Sequence, residues 1–385
     1  MTVTAAEGFV AAGLHCGVKE SGAPDLALVA TADGRPVPAA AVFTSNLATA
    51  APVQVSRRHL EAGGGQAVAV VLNSGNANAA TGEAGREDAE RMCALVAQHL
   101  DCAPEHVLVC STGLIGIPLP MAPIESGIPG LVAALSPDGG ADAAEAIRTT
   151  DTVRKEVVVH DGAVTVGGMA KGAAMLAPNM ATMLAVLTTD GTAEPGDLRA
   201  DLQRSVLDTF NALSVDGCTS TNDTVIVLAG GRAESASDLT HSLTQACNSL
   251  ARQMAADAEG ATKTVRVLVT GARSDDEARQ AARKVAESQL VKCSFFGADP
   301  YWGRVVSELG SAGIAFDPDR VQVAYGDVVV CANGVAADHD ASAVVSHLQA
   351  RDVDVVCDLG LGIGQGTVLT NDLTHAYIDE NMRTS

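Results

Sequence analysis

Two periodicities alternate along the chain. Apolar, β-branched runs of strand length end in turn residues: AVAVVLNSG (67–75), HVLVCSTG (106–113), EVVVH (156–160), TVIVLAGG (224–231), TVRVLVTGA (264–272), RVQVAYGDVVVC (320–331) and DVDVVCDLG (352–360). Between them, apolar residues recur at three and four positions in REDAERMCALVAQHL (86–100), GDLRADLQRSVLDTFNALS (196–214), DLTHSLTQACNSLARQMAADA (238–258) and SDDEARQAARKVAES (274–288), which predicts amphipathic helices. The strands cluster near both ends instead of alternating strictly with helices. Mixed α/β or α+β layering follows, and a doubly wound parallel sheet is disfavoured. The stretch from about 114 to 145 is the richest in Pro and Gly and reads as a connection between two units.

Composition narrows the classes. With 385 residues the chain can build two domains or one large α/β unit. Hydrophobic residues make up 47%, yet no uncharged apolar run approaches the roughly 18 residues of a membrane span. The start, MTVTAAEGFVAAGL, has no basic segment ahead of an apolar one, so the expected compartment is the cytoplasm. The formal net charge of −21 disfavours nucleic acid and anionic membranes as partners. Nine cysteines and nine histidines are scattered without CxxC pairs or HExxH, so free thiols are expected, and no metal or cofactor. GLGIGQGT (360–367) has no following GK[ST], and the TVLTNDLT that overlaps its end reads as extended, so it is assigned no nucleotide.

One segment carries distinctive chemistry. In VGGMAKGAAMLAPNMATMLAVLTTD (166–190), a small, flexible-looking GGMAKGAA with one lysine leads to Pro178, Asn179, Met180, Ala181 and Thr182, and MATMLAVLTT reads as a buried strand. A hydroxyl beside an unhindered carbonyl is what intramolecular peptide cleavage needs. Attack of Thr182 Oγ on the Ala181 carbonyl gives an ester that water opens, and the freed threonine then carries its own α-amine, with a pKa of about 7.7–8.0, as general base. Restricted χ1 rotation in threonine favours a fixed attack orientation. The alternative is a threonine that simply packs inside an apolar strand.

The same segment, read as AKGxGMLxPNMATML, resembles the signature of the glutamate N-acetyltransferase/ornithine acetyltransferase family of arginine biosynthesis. The resemblance covers nearly the whole chain in order: GVK (17–19), DLALV (25–29), AAVFTSN with AAPV (40–53), NSGNANAATG (73–82), STGLIG (111–116), TTDT (149–152), DGCTSTNDT (216–224), AEGATK (258–263), GADPYWGR (297–304) and the tail from Asp372 to Asn381. It implies an α+β fold, a layered α/β sandwich of N-terminal-nucleophile type with a second, smaller α/β domain. It implies cleavage at Ala181–Thr182 into an α chain of 1–181 and a β chain of 182–385, which associate as a heterotetramer of two each. It implies an oxyanion hole at Thr112 and Gly113, and substrate contacts at Thr149 or Thr150, Lys171, Thr182, Glu259, Asn381 and Ser385. Lys171 is the point charge for an α-carboxylate, and Glu259 meets the δ-ammonium of ornithine or shuttles its proton. Outside the resemblance Lys171 reads as a solvated loop lysine, Glu259 as a helix-end charge and STG as a strand-end turn.

NSGNANAATG reads as architecture bordering the site, and Trp302 with Arg304 as a packed loop. Three departures stand out: Ala174 and Ala258 replace family glycines, and the tail is about one residue short. Ala174 matters if that position needs a positive φ. The expected activity is a ping-pong transfer of acetyl from N-acetylornithine to glutamate through acetyl-Thr182, without cofactor; acetyl-CoA as a further donor stays open. Two other classes remain: an N-terminal-nucleophile amidohydrolase or aminopeptidase in which water resolves the acyl-threonine, and an uncleaved metabolite-binding protein.

Overall fold

The structure is a computed structural model that describes residues 2–177, 183–233 and 238–382. Strands β1 (Phe9–Leu14), β2 (Leu26–Thr31) and β3 (Val37–Phe43) lead into helix α1 (Ala51–Ala62), strands β4 (Gln66–Ala67) and β5 (Ala69–Asn76), helix α2 (Gly82–Leu100) and strand β6 (Val107–Leu114). Helices α3 (Met121–Ala133) and α4 (Gly140–Ala146) precede strands β7 (Lys155–Asp161), β8 (Val164–Lys171) and β9 (Leu184–Thr189), then helix α5 (Pro195–Leu207), strand β10 (Thr224–Ala229) and helix α6 (Thr240–Ala256). The rest comprises β11 (Thr264–Ala272), α7 (Asp275–Ala286), α8 (Gln289–Phe296), α9 (Gly303–Gly310), β12 (Gln322–Tyr325), β13 (Val328–Ala332), β14 (Val335–Ala336), α10 (Ala341–Gln349), β15 (Asp352–Asp358), β16 (Gly364–Asn371) and α11 (His375–Asn381).

Two sheets, ordered β1-β2-β5-β6 and β4-β3-β10-β9-β8-β7, stack face to face. Their facing side chains, among them Val29, Leu72 and Leu108 on one sheet and Met169, Val186 and Ile226 on the other, form one buried cluster. The outer face of the first sheet packs Leu28, Val71 and Val109 against Met92 and Val96 of α2 and Ile124 and Ile128 of α3. That of the second packs Leu187 and Val225 against Leu198 and Leu202 of α5 and Leu243 and Leu250 of α6. Every residue of β2, β9 and β10 is therefore buried, which is why these strands are continuous apolar runs. The expected layered sandwich is borne out.

A third sheet, β14-β13-β12-β15-β11-β16, has its own core, in which Val267, Val323 and Val355 meet Val285, Val305 and Leu348. This is the expected second α/β unit. Its helix α7 is encoded locally: the Ser274 side chain caps the Glu277 N–H, three carboxylates fill the first turn and Arg283 and Lys284 the last, matching the helix dipole. Trp302 packs against this core, as expected of GADPYWGR, and of TVLTNDLT (367–374) residues 367–371 are extended as expected, whereas 372–374 lie beyond the strand. All nine cysteines are free.

Three expectations need correction. Residues 114–145 are not a connection between units. They hold α3, which buries Ile124, Ile128 and Leu131 on the first sheet, and α4, whose Ala143, Ala144 and Ala146 enter the core between the sheets. The apolar anchors outweigh Pro129 within α3, so Pro and Gly density misled. The helix expected over 196–214 stops at Leu207, and a separate 3-10 turn follows at Phe210–Ala212. GGMAKGAA is not a flexible stretch: its first half is the end of β8, which pairs antiparallel with both β7 and β9. Paired on both edges and covered on both faces, that strand has no room for a side chain at Gly168. A Cβ on Gly168 would stand 2.6 Å from the Leu187 side chain. Among the described residues, no helix is long and apolar enough to cross a membrane.

Candidate active site

The stacked sheets leave a cleft of about 540 Å³ where several strand ends converge, a size that suits a small metabolite. From the first sheet come Thr112 and Gly113 at the end of β6; from the second come Lys171, the last residue of β8, and Met183 and Leu184 at the start of β9. Strand register sets Lys171 directly opposite Leu184. The Lys171 ammonium crosses between the sheets to donate to Thr112 Oγ1 at 3.3 Å. Thr149, Thr150, Ala174, Glu259 and Asn381 also line the cleft. Seven residues expected from five separated segments (Thr112, Gly113, Thr149, Thr150, Lys171, Glu259 and Asn381) thus meet in one place. Ala181, Thr182 and Ser385 lie outside the described residues, although Met183, the next residue after Thr182, faces the cleft.

Each wall has a local cause. Gly113 has φ +131°, and a Cβ there would stand 2.3 Å from the Gly75 carbonyl carbon, so only glycine lets β6 approach β5 at the cleft. The neighbouring amides are satisfied internally: Asn73 accepts from Ser111 Oγ at 2.6 Å and donates to the Asn76 carbonyl at 2.8 Å, while Asn78 donates to the Gly85 carbonyl at 2.8 Å. NSGNANAATG is architecture, as expected. Asn222, to which the sequence analysis gave no role, ties this loop to β6 by donating to the Ala77 and Ser111 carbonyls at 2.6 and 2.9 Å.

Lys171 is no solvated loop lysine; it is 8% exposed. Burial lowers its pKa, while Asp151 and Glu259 act in the opposite direction. Glu259, just beyond α6, is 9% exposed, and its Oε2 accepts from Asn381 Nδ2 at 2.8 Å. Asn381 ends α11, whose N-cap Thr374 also donates to the Gly260 carbonyl at 2.6 Å. The tail therefore folds back onto the loop that carries Glu259.

The turn after β8 is clamped. The Asp216 carboxylate accepts from the backbone N–H groups of Met175 at 2.6 Å, Leu176 at 3.0 Å and Cys218 at 3.1 Å. Burial raises the Asp216 pKa against the effect of these donors. Met175 holds φ +48°, a conformation costly for a side-chain-bearing residue, whereas Ala174 is not at positive φ and its methyl brings no such strain. Asp216 within DGCTSTNDT, Asp151 within TTDT and Lys155 carry no local sequence signal that marks them for the site.

The ArgJ family profile matches residues 10–384. The chain belongs to the ArgJ family. The arginine biosynthesis bifunctional protein ArgJ of Mycobacterium leprae is 48% identical, with 98% of this chain and 94% of that protein covered. The protein of the same name from Thermobifida fusca is 47% identical, with 99% of each covered. Among solved structures, the Bacillus halodurans arginine biosynthesis bifunctional protein is 35% identical, with 50% of this chain and 95% of that chain covered and a TM-score of 0.49. Membership in the ArgJ family bears out the resemblance read from the ordered motifs.

Proposed function

We propose that this ArgJ-family chain is an acetyltransferase of arginine biosynthesis that moves acetyl from N-acetylornithine to glutamate through Thr182. The observation that carries this is the convergence, in one cleft beside Met183, of a cation, a carboxylate–amide pair and a strand-end glycine drawn from distant parts of the sequence. The curated relatives' shared name, arginine biosynthesis bifunctional protein, points the same way.

In this reading the precursor first cleaves itself. Thr182 Oγ adds to the Ala181 carbonyl, the peptide nitrogen takes up the hydroxyl proton and leaves as the free threonine amine, and water hydrolyses the resulting ester to give the Ala181 carboxylate and the Thr182 hydroxyl. The fragments stay together because the second sheet interleaves strands from both sides of the bond, in the order β4-β3-β10-β9-β8-β7. N-acetylornithine then binds with its α-carboxylate on Lys171 and its side-chain ammonium toward Glu259, which Asn381 orients. Thr149 and Thr150 border the substrate. Thr182 Oγ attacks the acetyl carbonyl, and its proton passes through the α-amine to the departing ornithine nitrogen. Thr112 and Gly113 face the developing oxyanion, where one well-placed donor is worth about 2.7–4 kcal/mol. The amine of glutamate then attacks acetyl-Thr182, releases N-acetylglutamate and returns the proton to Thr182.

Denaturing mass spectrometry of the wild type and Thr182→Ala tests this. The wild type should yield fragments beginning at Met1 and Thr182, and N-acetylornithine should add one acetyl group to the second; Thr182→Ala should remain one full-length chain. A single full-length wild-type species, or acetyl labelling that survives the substitution, would overturn the mechanism.

A further inference from the structure

A row of buried charges runs behind Lys171 and is given no part in the steps above. Lys155, the first residue of β7, is fully buried and donates to Asp151 Oδ1 at 2.6 Å and Asp257 Oδ2 at 2.5 Å. The Asp151 side chain is likewise inaccessible. Its Oδ1 also accepts from Gly172 N at 2.7 Å, and its Oδ2 accepts from Thr149 N at 3.1 Å. Lys171 Nζ stands 3.9 Å from that same Oδ2. Asp257, at the end of α6, accepts in addition from Thr152 N at 2.9 Å. Two lysines and two aspartates thus alternate through the protein interior toward the cleft.

Desolvating four charges is a poor way to gain stability alone, since apolar residues of similar size would fold as well or better. What the row achieves is placement. Asp151 is held on both oxygens by groups other than Lys171, so it offers the ammonium a countercharge without drawing it into a close ion pair. Among the described residues, the hydrogen bond that Lys171 Nζ makes is to Thr112 Oγ1, which leaves it N–H groups for a ligand. Through Thr149 N and Gly172 N, the same carboxylate also fixes two backbone segments of the cleft wall.

We propose that Asp151 is a positioning residue for acetyl transfer, holding Lys171 charged and aimed into the cleft and setting the Thr149 loop against it. The proposal rests on the role given above to Lys171 as the site of the substrate carboxylate. The groups facing Lys171 are Asp151 and Lys155 around the start of β7, Glu259 beyond α6, Asp223 before β10 and, more distantly, Lys19 before β2. Asp151, Glu259 and Asp223 favour its protonated form, whereas burial and the two lysines oppose it. Neutralising Asp151 lets the ammonium lose its proton at lower pH.

The test compares Asp151→Asn with Asp257→Asn, which removes a charge of the same row that does not face Lys171. In Asp151→Asn, KM for N-acetylornithine should rise about tenfold or more with a smaller fall in kcat, and the alkaline limb of kcat/KM should move about one unit or more to lower pH. Asp257→Asn should lower the melting temperature and leave that limb in place. Should Asp151→Asn fold poorly, the double variant Asp151→Asn/Lys155→Met, which removes the pair together, should displace the limb in the same direction by a smaller amount, because loss of Lys155 partly offsets loss of Asp151. An unmoved limb in folded Asp151→Asn or the double variant, or an equal displacement in Asp257→Asn, would refute the role of Asp151 while leaving wild-type transfer intact. Failure of the wild type to transfer acetyl from N-acetylornithine would overturn this proposal together with the function it rests on.

Discussion

In the sandwich, strands β5 and β6 finish in Asn73, Ser74 and Asn76 and in Ser111, Thr112 and Gly113, most of them buried polar groups with named hydrogen-bond partners. In the third sheet, β11 and β15 alternate buried and partly exposed positions along most of their length, and their inward residues are apolar. The first arrangement spends hydrogen bonds to hold a few atoms in place at a strand end. The second needs only hydrophobic burial on one face. The difference teaches where tolerance lies: the third sheet should absorb changes of shape as lost stability, and the cleft should register them as lost chemistry.

The hardest test of that contrast is a single methyl group. Gly113→Ala meets a left-handed φ and backbone atoms of Gly75 and Asn76 at 2.3 to 2.6 Å, so β6 must part from β5 at the proposed oxyanion hole. The backbone strain alone is about 1–3 kcal/mol, and kcat for acetyl transfer should fall about a hundredfold or more. Gly313→Ala, at φ +72° with the Gln280 side chain 3.5 Å away, should cost about 1–2 kcal/mol and leave kcat unchanged. Near-normal turnover in Gly113→Ala would remove the distinction.

Next in size is a cavity in the third core. Leu348, fully buried on α10, should lose about 2–5 kcal/mol of stability on truncation to alanine, read from denaturant unfolding. Turnover at 25 °C should stay within about twofold of wild type, because sites without shared partners act independently. A tenfold loss of kcat in a folded Leu348→Ala protein would show that this unit does more than support the tail.

How far the sequence could carry this depends on where each signal resides. Strands such as 264–272 and helices such as 275–286 were legible because their period and caps are local. The pairing of β1, β2, β5 and β6 into one sheet was not, since register depends on partners distant in the chain. Helices α3 and α4 were masked by Pro and Gly, whose local cost is outweighed by apolar anchors visible only in three dimensions. At the cleft, Thr112, Lys171, Glu259 and Asn381 were legible through ordered motifs, and folding brings them together. Asp151, Lys155 and Asp216 were overlooked because a buried carboxylate and a surface one read alike in sequence; only their partners tell them apart.

The joint between the two regions offers the finest test. Lys292 on α8 is 5% exposed and donates to the Val215 carbonyl at 2.7 Å and to Thr370 Oγ1 of β16 at 3.0 Å, linking the loop beside Asp216 to the third sheet. Burial lowers its pKa from the ordinary 10.5 to about 8, with Asp216, Asp372 and Glu287 pulling the other way. Between those two values the unfolded chain holds the proton more tightly than the folded one, so stability gains from rising pH across that window. Below about pH 8 the cost of the buried charge is present in full. Lys292→Met removes the titration, and the stability difference between wild type and variant isolates it, because the other titrating groups are common to both. Unfolding free energies at about pH 7 and about pH 10 should show that difference shifting toward the wild type by at most about 3 kcal/mol. A difference that stays flat would mean that Lys292 remains protonated throughout, and that the joint is held by a permanent charge between the sandwich and the third sheet.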